Sequence, residues 1–469
     1  MQRRAKIICT IGPASIKKDV VFSLIKAGMD VARLNFSHGD YGFHKKAISL
    51  IREGSRKYGK PIAIIQDLQG IKIRAGYLKG GYITLRKDHR LSISPGKGIG
   101  DEKQIYIAYP PLIKDVAIGD RILLDDGLME LKVTGKEKHS LMTRVIEGGL
   151  LKERKGVNFP DTKITLSSFT EKDKNDLLFG IEMAVDYVAI SFVREAEDVR
   201  KVRRWLKNKR HSIPLIAKIE KPEALKNISE ILDEADGIMV ARGDLGVEIP
   251  PEDVPMVQKT LIAEANRKGR LVITATQMLE SMTEHTRPTR AEATDVANAV
   301  LDGTDALMLS GETSLGKYPL LALAMMDRII RKTESKKRIA SQYIPLRSFS
   351  DAIADAGARA GEDIKAKYIV AFTQSGFTAK LLSKFRPSVA IAAFTPFEAV
   401  LRRVCLYWGV IPKKIGNVKS TDSVFREVES ALLKDRMVRA GDSIVITASS
   451  PVIGIGKTNL LKVQKIGEL

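Results

Sequence analysis

Short apolar runs recur along the chain with helix-compatible segments between them. Ile7-Ile8-Cys9 precedes a predicted helix near 18–28, Val31-Ala32-Arg33-Leu34 precedes one near 40–59, and Ile62-Ala63-Ile64-Ile65 comes third. Runs this short and this continuously apolar suit strands covered on both faces, as in a parallel sheet. From about 71 to 155 the pattern changes to an alternation of apolar and polar residues, punctuated by Gly80-Gly81, Pro95-Gly96 and Asp126-Gly127, which predicts a small all-β insertion. The helical rhythm then returns through Val188-Ala189-Ile190, Leu215-Ile216-Ala217, Gly237-Ile238-Met239-Val240, Leu271-Val272-Ile273 and Ala306-Leu307-Met308-Leu309. Three strands before the insertion and five after it make eight, the number of βα units that closes a TIM barrel. Periodicity alone also admits an open doubly wound sheet. After Lys336-Lys337 a further βα alternation begins, with strand-like runs at 368–372, 389–393 and 443–447. The expected fold is therefore α/β: a (β/α)8 barrel from 1–70 and 156–334, a small β-barrel insertion at 71–155, and a C-terminal α/β domain at 335–469.

A chain of 469 residues is too long for one core and agrees with about three domains. Lys and Arg outnumber Asp and Glu by 77 to 56, for a formal charge of +21. Such a balance suits nucleic acid, a membrane surface, anionic small substrates or a solvated cationic surface. The bases are scattered, as in Arg200, Lys201, Arg203, Arg204 and Lys207, without a basic tail or an aromatic-rich strand, so no nucleic-acid partner is expected. Cys9 and Cys405 are too few for a disulfide framework or a zinc cluster and suit a reducing cytoplasm. The basic start imitates a signal peptide, but its apolar run stops at Gly12-Pro13, and no apolar run approaches membrane-spanning length. No membrane partner and a cytoplasmic location are expected.

Chemistry in a TIM barrel sits at the C-terminal strand ends. Strand two ends in Arg33-Leu-Asn35-Phe-Ser37-His38, strand three in Gln66-Asp67-Leu68-Gln69, strand five in Lys218-Ile-Glu220-Lys221, strand six in Ala241-Arg242-Gly243-Asp244 and strand seven in Thr276-Gln277. One polar strand end is usually a solvated turn. Five at one rim point to an anionic, metal-assisted reaction. Lys218 and Glu220 are two apart on a strand end and so share a face. Glu220 and Asp244 are two carboxylates able to hold a magnesium ion that substrate oxygens and water complete. Arg33, Arg74 and Lys218 supply positive charge for a transferring phosphoryl group. No His–Ser or His–Cys arrangement presents itself at this rim, and His38 suits contact with a phosphate or nucleotide better than acid–base work.

Several segments carry a resemblance to the pyruvate kinase family: Ile11-Gly-Pro-Ala-Ser15, Ala32-Arg-Leu-Asn-Phe-Ser-His-Gly39, Lys218-Ile-Glu-Lys-Pro-Glu223, Met239-Val-Ala-Arg-Gly-Asp-Leu-Gly-Val-Glu248, Thr274-Ala-Thr-Gln-Met-Leu-Glu-Ser281, Pro288-Thr-Arg-Ala-Glu292 and Asp302-Gly-Thr-Asp-Ala-Leu-Met-Leu-Ser-Gly-Glu-Thr313. The resemblance implies transfer of the phosphoryl group of phosphoenolpyruvate to ADP, giving pyruvate and ATP. It implies magnesium, for which manganese can substitute, on Glu220 and Asp244. Arg33, Lys218, Gly243, Asp244 and Thr276 would surround phosphoenolpyruvate, and Asn35, His38, Arg74 and Lys155 would contact the nucleotide phosphates. Arg33, Lys218 and Thr276 would form the catalytic set, with a water near Thr276 as proton source for the enolate. The β insertion would be a lid that closes over the site and expels water.

A monovalent cation in this family sits among residues matching Asn35, Ser37, Asp67 and the backbone at Leu68. Potassium-dependent members have Glu at the position of Lys72 and Thr at that of Leu68, and Ile71 stands where the family usually has Pro. The Lys72 ammonium could replace the potassium charge, so no potassium requirement is expected. Thr373, Ser375 and Thr378 match the family's sugar-phosphate effector loop, and hydroxyls with backbone N–H groups at a helix start suit a phosphate. A homotetramer is implied, and the small residues of Asp351–Ala360 would permit close helix approach. Pro451-Val-Ile-Gly-Ile-Gly-Lys-Thr458 falls one glycine short of a P-loop, and no leading strand is expected there. Two rival functions are a magnesium-dependent aldolase or lyase acting on pyruvate enolates, which would lack the insertion and C-terminal domain together, and a nucleic-acid-binding protein without catalysis.

Overall fold

The eight apolar runs are parallel strands that close on themselves. They are β1 (Lys6–Thr10), β2 (Val31–Asn35), β3 (Ala63–Asp67), β4 (Tyr187–Ile190), β5 (Leu215–Ile219), β6 (Gly237–Ala241), β7 (Leu271–Ala275) and β8 (Ala306–Leu309), in the closed order β1-β8-β7-β6-β5-β4-β3-β2. The computed structural model describes residues 3–336, 346, 348–418, 420–451 and 457–468. The barrel interior is filled by Ile8, Val31, Ile65, Tyr187, Ile216, Met239, Ile273 and Met308, so it is a packed core and not a pore. The opposite faces of the strands meet the surrounding helices, among them Lys18–Ala27, which buries Val21, Leu24 and Ile25. Helix Arg290–Asp302 starts from a Thr289/Glu292 capping box and stops at Gly303, whose φ of 96° is cheap only for glycine.

Between β3 and β4 the chain leaves the barrel to build the predicted all-β module. Its six-stranded sheet includes the short strand Val157–Asn158, past the expected boundary at 155, paired with Arg121–Leu124, and its apolar cluster runs from Ile73 to Ile164. Two roots join this module to the barrel. On one, Gly70 N donates to Asp173 Oδ1 at 3.0 Å. On the other, Arg194 Nη2 donates to the carbonyl of Leu166 at 2.9 Å.

The C-terminal domain is a five-stranded sheet of β9 (Tyr368–Phe372), β10 (Ile391–Thr395), β11 (Val410–Lys414), β12 (Ser443–Ala448) and β13 (Leu460–Lys465), in the order β11-β10-β9-β12-β13, with only β13 antiparallel. The run expected at 389–393 begins instead at Ile391, where pairing with Ile369 and Val410 starts, and reaches Thr395. β11 escaped the apolar pattern because it is an edge strand containing Pro412, which an edge tolerates.

One further expectation is corrected. A strand, β12, does end three residues before Pro451, contrary to the expected absence of one. It leads to antiparallel β13 and not to a helix, so the topology is not that of a P-loop; residues 452–456 of that segment lie outside the described residues. The small residues of Asp351–Ala360 lie on helix Phe349–Asp363, where Ala354, Gly357 and Ala358 are buried and Ala352 and Ala356 are exposed. A Cβ on Gly357 would stand 2.8 Å from Thr447 Cγ2, and one on Gly361 2.7 Å from Ile369 Cγ1.

The C-terminal domain docks on the N-terminal ends of the barrel strands. Lys6 Nζ donates to the Val410 carbonyl at 2.6 Å, Arg402 Nε pairs with Asp186 at 2.7 Å, and Arg386 pairs with Asp305 at 2.6 Å. The opposite rim is thereby left for chemistry. Among the described residues no helix is long and apolar enough to cross a membrane.

Candidate active site

Strand register brings the charged strand ends together. Arg33 pairs with Ile65 across β2 and β3, and Asn35 with Asp67. Asp67 is fully buried and accepts from Arg33 Nε at 2.7 Å, while Arg33 Nη1 donates to Thr10 Oγ1 at 3.1 Å. Lys218 Nζ lies 3.3 Å from Asp67 Oδ1 and 2.8 Å from Glu220 Oε1, and donates to Ser191 Oγ at 2.8 Å. Burial works against the Lys218 charge, but Asp67 and Glu220 outweigh it and hold the ammonium above its ordinary range. Burial likewise opposes ionisation of Asp67, yet Lys218 and Arg33 bring its carboxyl below the usual range. The Lys218 ammonium and the Arg33 guanidinium therefore face the same rim, both held by Asp67.

Glu220 behaves in the opposite way. Burial, only partly offset by Lys218 and reinforced by Asp244, pushes its carboxyl up to about 7. Its Oε2 accepts from the Phe192 backbone N–H at 2.7 Å, and its buried Oε1 lies 2.8 Å from the Lys218 ammonium. A buried carboxylate paired with the Lys218 ammonium, beside the exposed carboxylate of Asp244, offers oxygens that fit a hard divalent cation. Among the described residues no group of three or more His, Cys, Asp or Glu is placed to hold a metal.

Thr276, one residue past β7, has a φ of 68°, a costly conformation for a β-branched residue. Its Oγ1 accepts from the Gly243 backbone N–H at 2.7 Å, and Arg242 Nη2 donates to its carbonyl at 2.7 Å. Arg242 is held by Asp295 at 2.7 Å. The Ala241-Arg-Gly-Asp turn and the Thr276 turn are thus one assembly.

The remaining sequence-predicted residues form the side of the cleft facing the lid. Partial burial, with Lys72, Arg74 and Arg33 nearby, lowers the pKa of His38. Asn35 Oδ1 accepts from Ser37 N at 3.1 Å, and the Leu68 carbonyl accepts from Ser191 Oγ at 2.7 Å. Lys155 pairs with Asp125 of the lid at 2.7 Å, and Arg74 forms a bridge with Gly156. Lys72 lines a cavity between lid and barrel with Asp126, Asn158, Phe192, Lys221 and Asp244. Desolvation and Arg74 lower its pKa, with Asp244 and Asp126 opposing them.

Sequence reasoning missed Ser191 and the Phe192 backbone, which hold Lys218 and Glu220. They lie just past β4, one of the three strand ends not among the five singled out from the sequence. Thr373, Ser375 and Thr378 lie far from this rim, around the start of helix Phe377–Lys384. Thr373 Oγ1 accepts from Gly376 N at 2.9 Å, Ser375 Oγ from Phe377 N at 3.4 Å, and Thr378 Oγ1 lies 2.8 Å from Thr458 Oγ1.

Two family models match the chain: "Pyruvate kinase, barrel domain" over residues 2–323 and "Pyruvate kinase, alpha/beta domain" over residues 351–464. A pyruvate kinase of Geobacillus stearothermophilus is 47% identical over 477 aligned positions, covering 100% of this chain and 81% of that protein. One from Clostridium perfringens is 44% identical, with 99% and 100% covered. A crystal structure of a pyruvate kinase from Cryptosporidium parvum superposes with a TM-score of 0.93 at 37% identity, covering 99% of this chain and 96% of that one.

Proposed function

The chain belongs to the pyruvate kinase family, and on that premise we propose how its barrel rim transfers the phosphoryl group of phosphoenolpyruvate to ADP. The observation that carries the assignment of roles is the buried Lys218 ammonium, set between Asp67 and Glu220 at the end of β5. Arg33, Lys218, Gly243, Asp244 and Thr276 receive phosphoenolpyruvate. Asn35, His38, Arg74 and Lys155 receive the nucleotide phosphates, Lys155 exchanging Asp125 for a phosphate oxygen. A β-phosphate oxygen of ADP bonds to the phosphorus as the bond from phosphorus to the enol oxygen breaks, and Lys218 and Arg33 stabilise the charge that develops. Lys218 then faces the enolate oxygen, and a water beside Thr276 supplies the proton that gives pyruvate. Glu220 and Asp244 would hold magnesium or manganese, which supplies Lewis-acid charge to phosphoryl and enolate oxygens. Lys72, in the cleft with Asp126 and Asp244, supplies the positive charge for which other members use potassium. Closure of the lid excludes water during transfer.

The C-terminal loop at Thr373, Ser375 and Thr378 binds a phosphorylated effector, supported by three hydroxyls around one helix start. The homotetramer and the cytoplasmic location rest on the family alone. An assay detecting pyruvate only when ADP, phosphoenolpyruvate and a divalent cation are all present tests the central reading. Pyruvate formed without ADP would favour a lyase instead.

A further inference from the structure

Glu248 closes helix Arg242–Glu248 at the barrel rim, and its side chain is only 1% exposed. One oxygen, Oε1, accepts from two donors, Lys221 Nζ at 2.6 Å and Asn158 Nδ2 at 2.7 Å. Lys221 follows β5 on the barrel, while Asn158 belongs to the lid sheet, where it pairs with Leu123. The other oxygen, Oε2, is buried with no hydrogen-bond partner among the described residues. The carboxylate therefore depends on these two donors, and removing either leaves a poorly compensated buried charge.

Two of the candidate nucleotide ligands, Lys155 and Arg74, lie close to this contact. Lys155 precedes Asn158 by three residues, and its partner Asp125 donates its backbone N–H to the Gly156 carbonyl at 3.0 Å. Arg74 bridges that same Gly156. At the tip of the adjacent hairpin, Gly127 stands against Val247, the neighbour of Glu248: a Cβ there would be 3.5 Å from Val247 Cγ1. A displacement of Asn158 would thus carry both cations with it, whereas Lys218, Arg33 and Thr276 are mounted on the barrel.

We propose that Glu248 is a positioning residue, a latch that joins Lys221 of the barrel to Asn158 of the lid and sets where Arg74 and Lys155 meet the nucleotide. The inference rests on the nucleotide-binding reading of those two cations. Without the Asn158 amide the lid samples wider angles, and the loss falls on ADP and not on phosphoenolpyruvate.

The test uses steady-state kinetics of the full chain with both substrates varied. Asn158→Ala is expected to raise the KM for ADP about tenfold while the KM for phosphoenolpyruvate moves less than twofold and kcat less than threefold. Asn158→Gln, which restores an amide donor, should recover part of the loss. Cys9 and Cys405 are both buried, so spin labels can be directed to cysteines placed at exposed Lys138 on the lid and Glu171 on the barrel. The distance distribution between them should broaden in Asn158→Ala. Lys155→Ala serves as the reference, and an unchanged KM for ADP there would remove the nucleotide reading and the latch together. If Lys155→Ala raises that KM but Asn158→Ala shifts both substrates equally, shifts neither, or leaves the label distances unchanged, the latch is overturned while the nucleotide reading stands.

Discussion

Lys218 Nζ stands 2.8 Å from Glu220 Oε1, and the two side chains leave the end of one strand two residues apart. The pair places a secured cation directly beside a carboxyl whose proton is only loosely decided. That difference organises the first two predictions.

Lys218→Met should leave the fold intact, because Asp67 retains Arg33 on the same face. Turnover should fall by about a thousandfold or more, since the lost charge acts chiefly on the transition state. Circular dichroism and kcat at saturating substrates check both halves. Near-normal turnover would remove Lys218 from its role.

Divalent-cation binding should depend on pH through Glu220. Its metal-free carboxyl is pushed up to about 7 by burial, with Asp244 adding to the effect. A cation needs the ionised form, so apparent affinity should fall as pH drops below 7, approaching a factor of ten per unit. Titration of manganese by electron paramagnetic resonance between pH 5.5 and 8 reads this directly. Glu220→Gln should bind weakly and lose the pH dependence, and a flat profile in the parent protein would reject Glu220 as a ligand.

The same cleft makes potassium dispensable. With tetramethylammonium as the balancing cation, added potassium should stimulate activity by less than tenfold, a barrier difference under about 1.4 kcal/mol. Lys72→Glu should acquire a potassium requirement, because it puts a negative charge beside Asp126 and Asp244. Strong stimulation of the parent enzyme would show that Lys72 does not replace the ion.

At the opposite barrel face, Arg386 and Asp305 are 6% and 5% exposed and 2.6 Å apart. Arg386→Ala leaves the Asp305 side chain buried, with the Val272 N–H its remaining hydrogen-bond donor among the described residues. Stability should drop by about 3–5 kcal/mol, seen as a lower denaturation midpoint, with kcat altered little. Loss of kcat without loss of stability would mean that this docking contact reaches the rim by another route.

The barrel was legible because its strands are covered on both faces. Continuous apolar runs such as Ile62–Ile65 and Leu271–Ile273 announce that environment without help from distant residues. The rim was legible for a related reason: a polar residue that abruptly ends an apolar strand, as at Lys218 or Asp244, marks where the chain leaves the core. An edge strand such as β11 is half solvated and carries no such contrast, so its Ile-Pro-Lys-Lys sequence passes for a loop.

What the residues alone determined was which chemistry could collect at one end of the strands. Tertiary structure decided which groups meet. Asp67 joins Arg33 to Lys218, Ser191 holds Lys218, Thr276 secures Gly243, and Glu248 ties Lys221 to a lid residue 90 positions earlier. It also decided that Gly357 and Gly361 serve an internal packing face. Hydrophobic periodicity is a local property, set by which face of an element is covered. Pairings such as these depend on strand register and domain docking, which join residues far apart in the chain and leave no period in it.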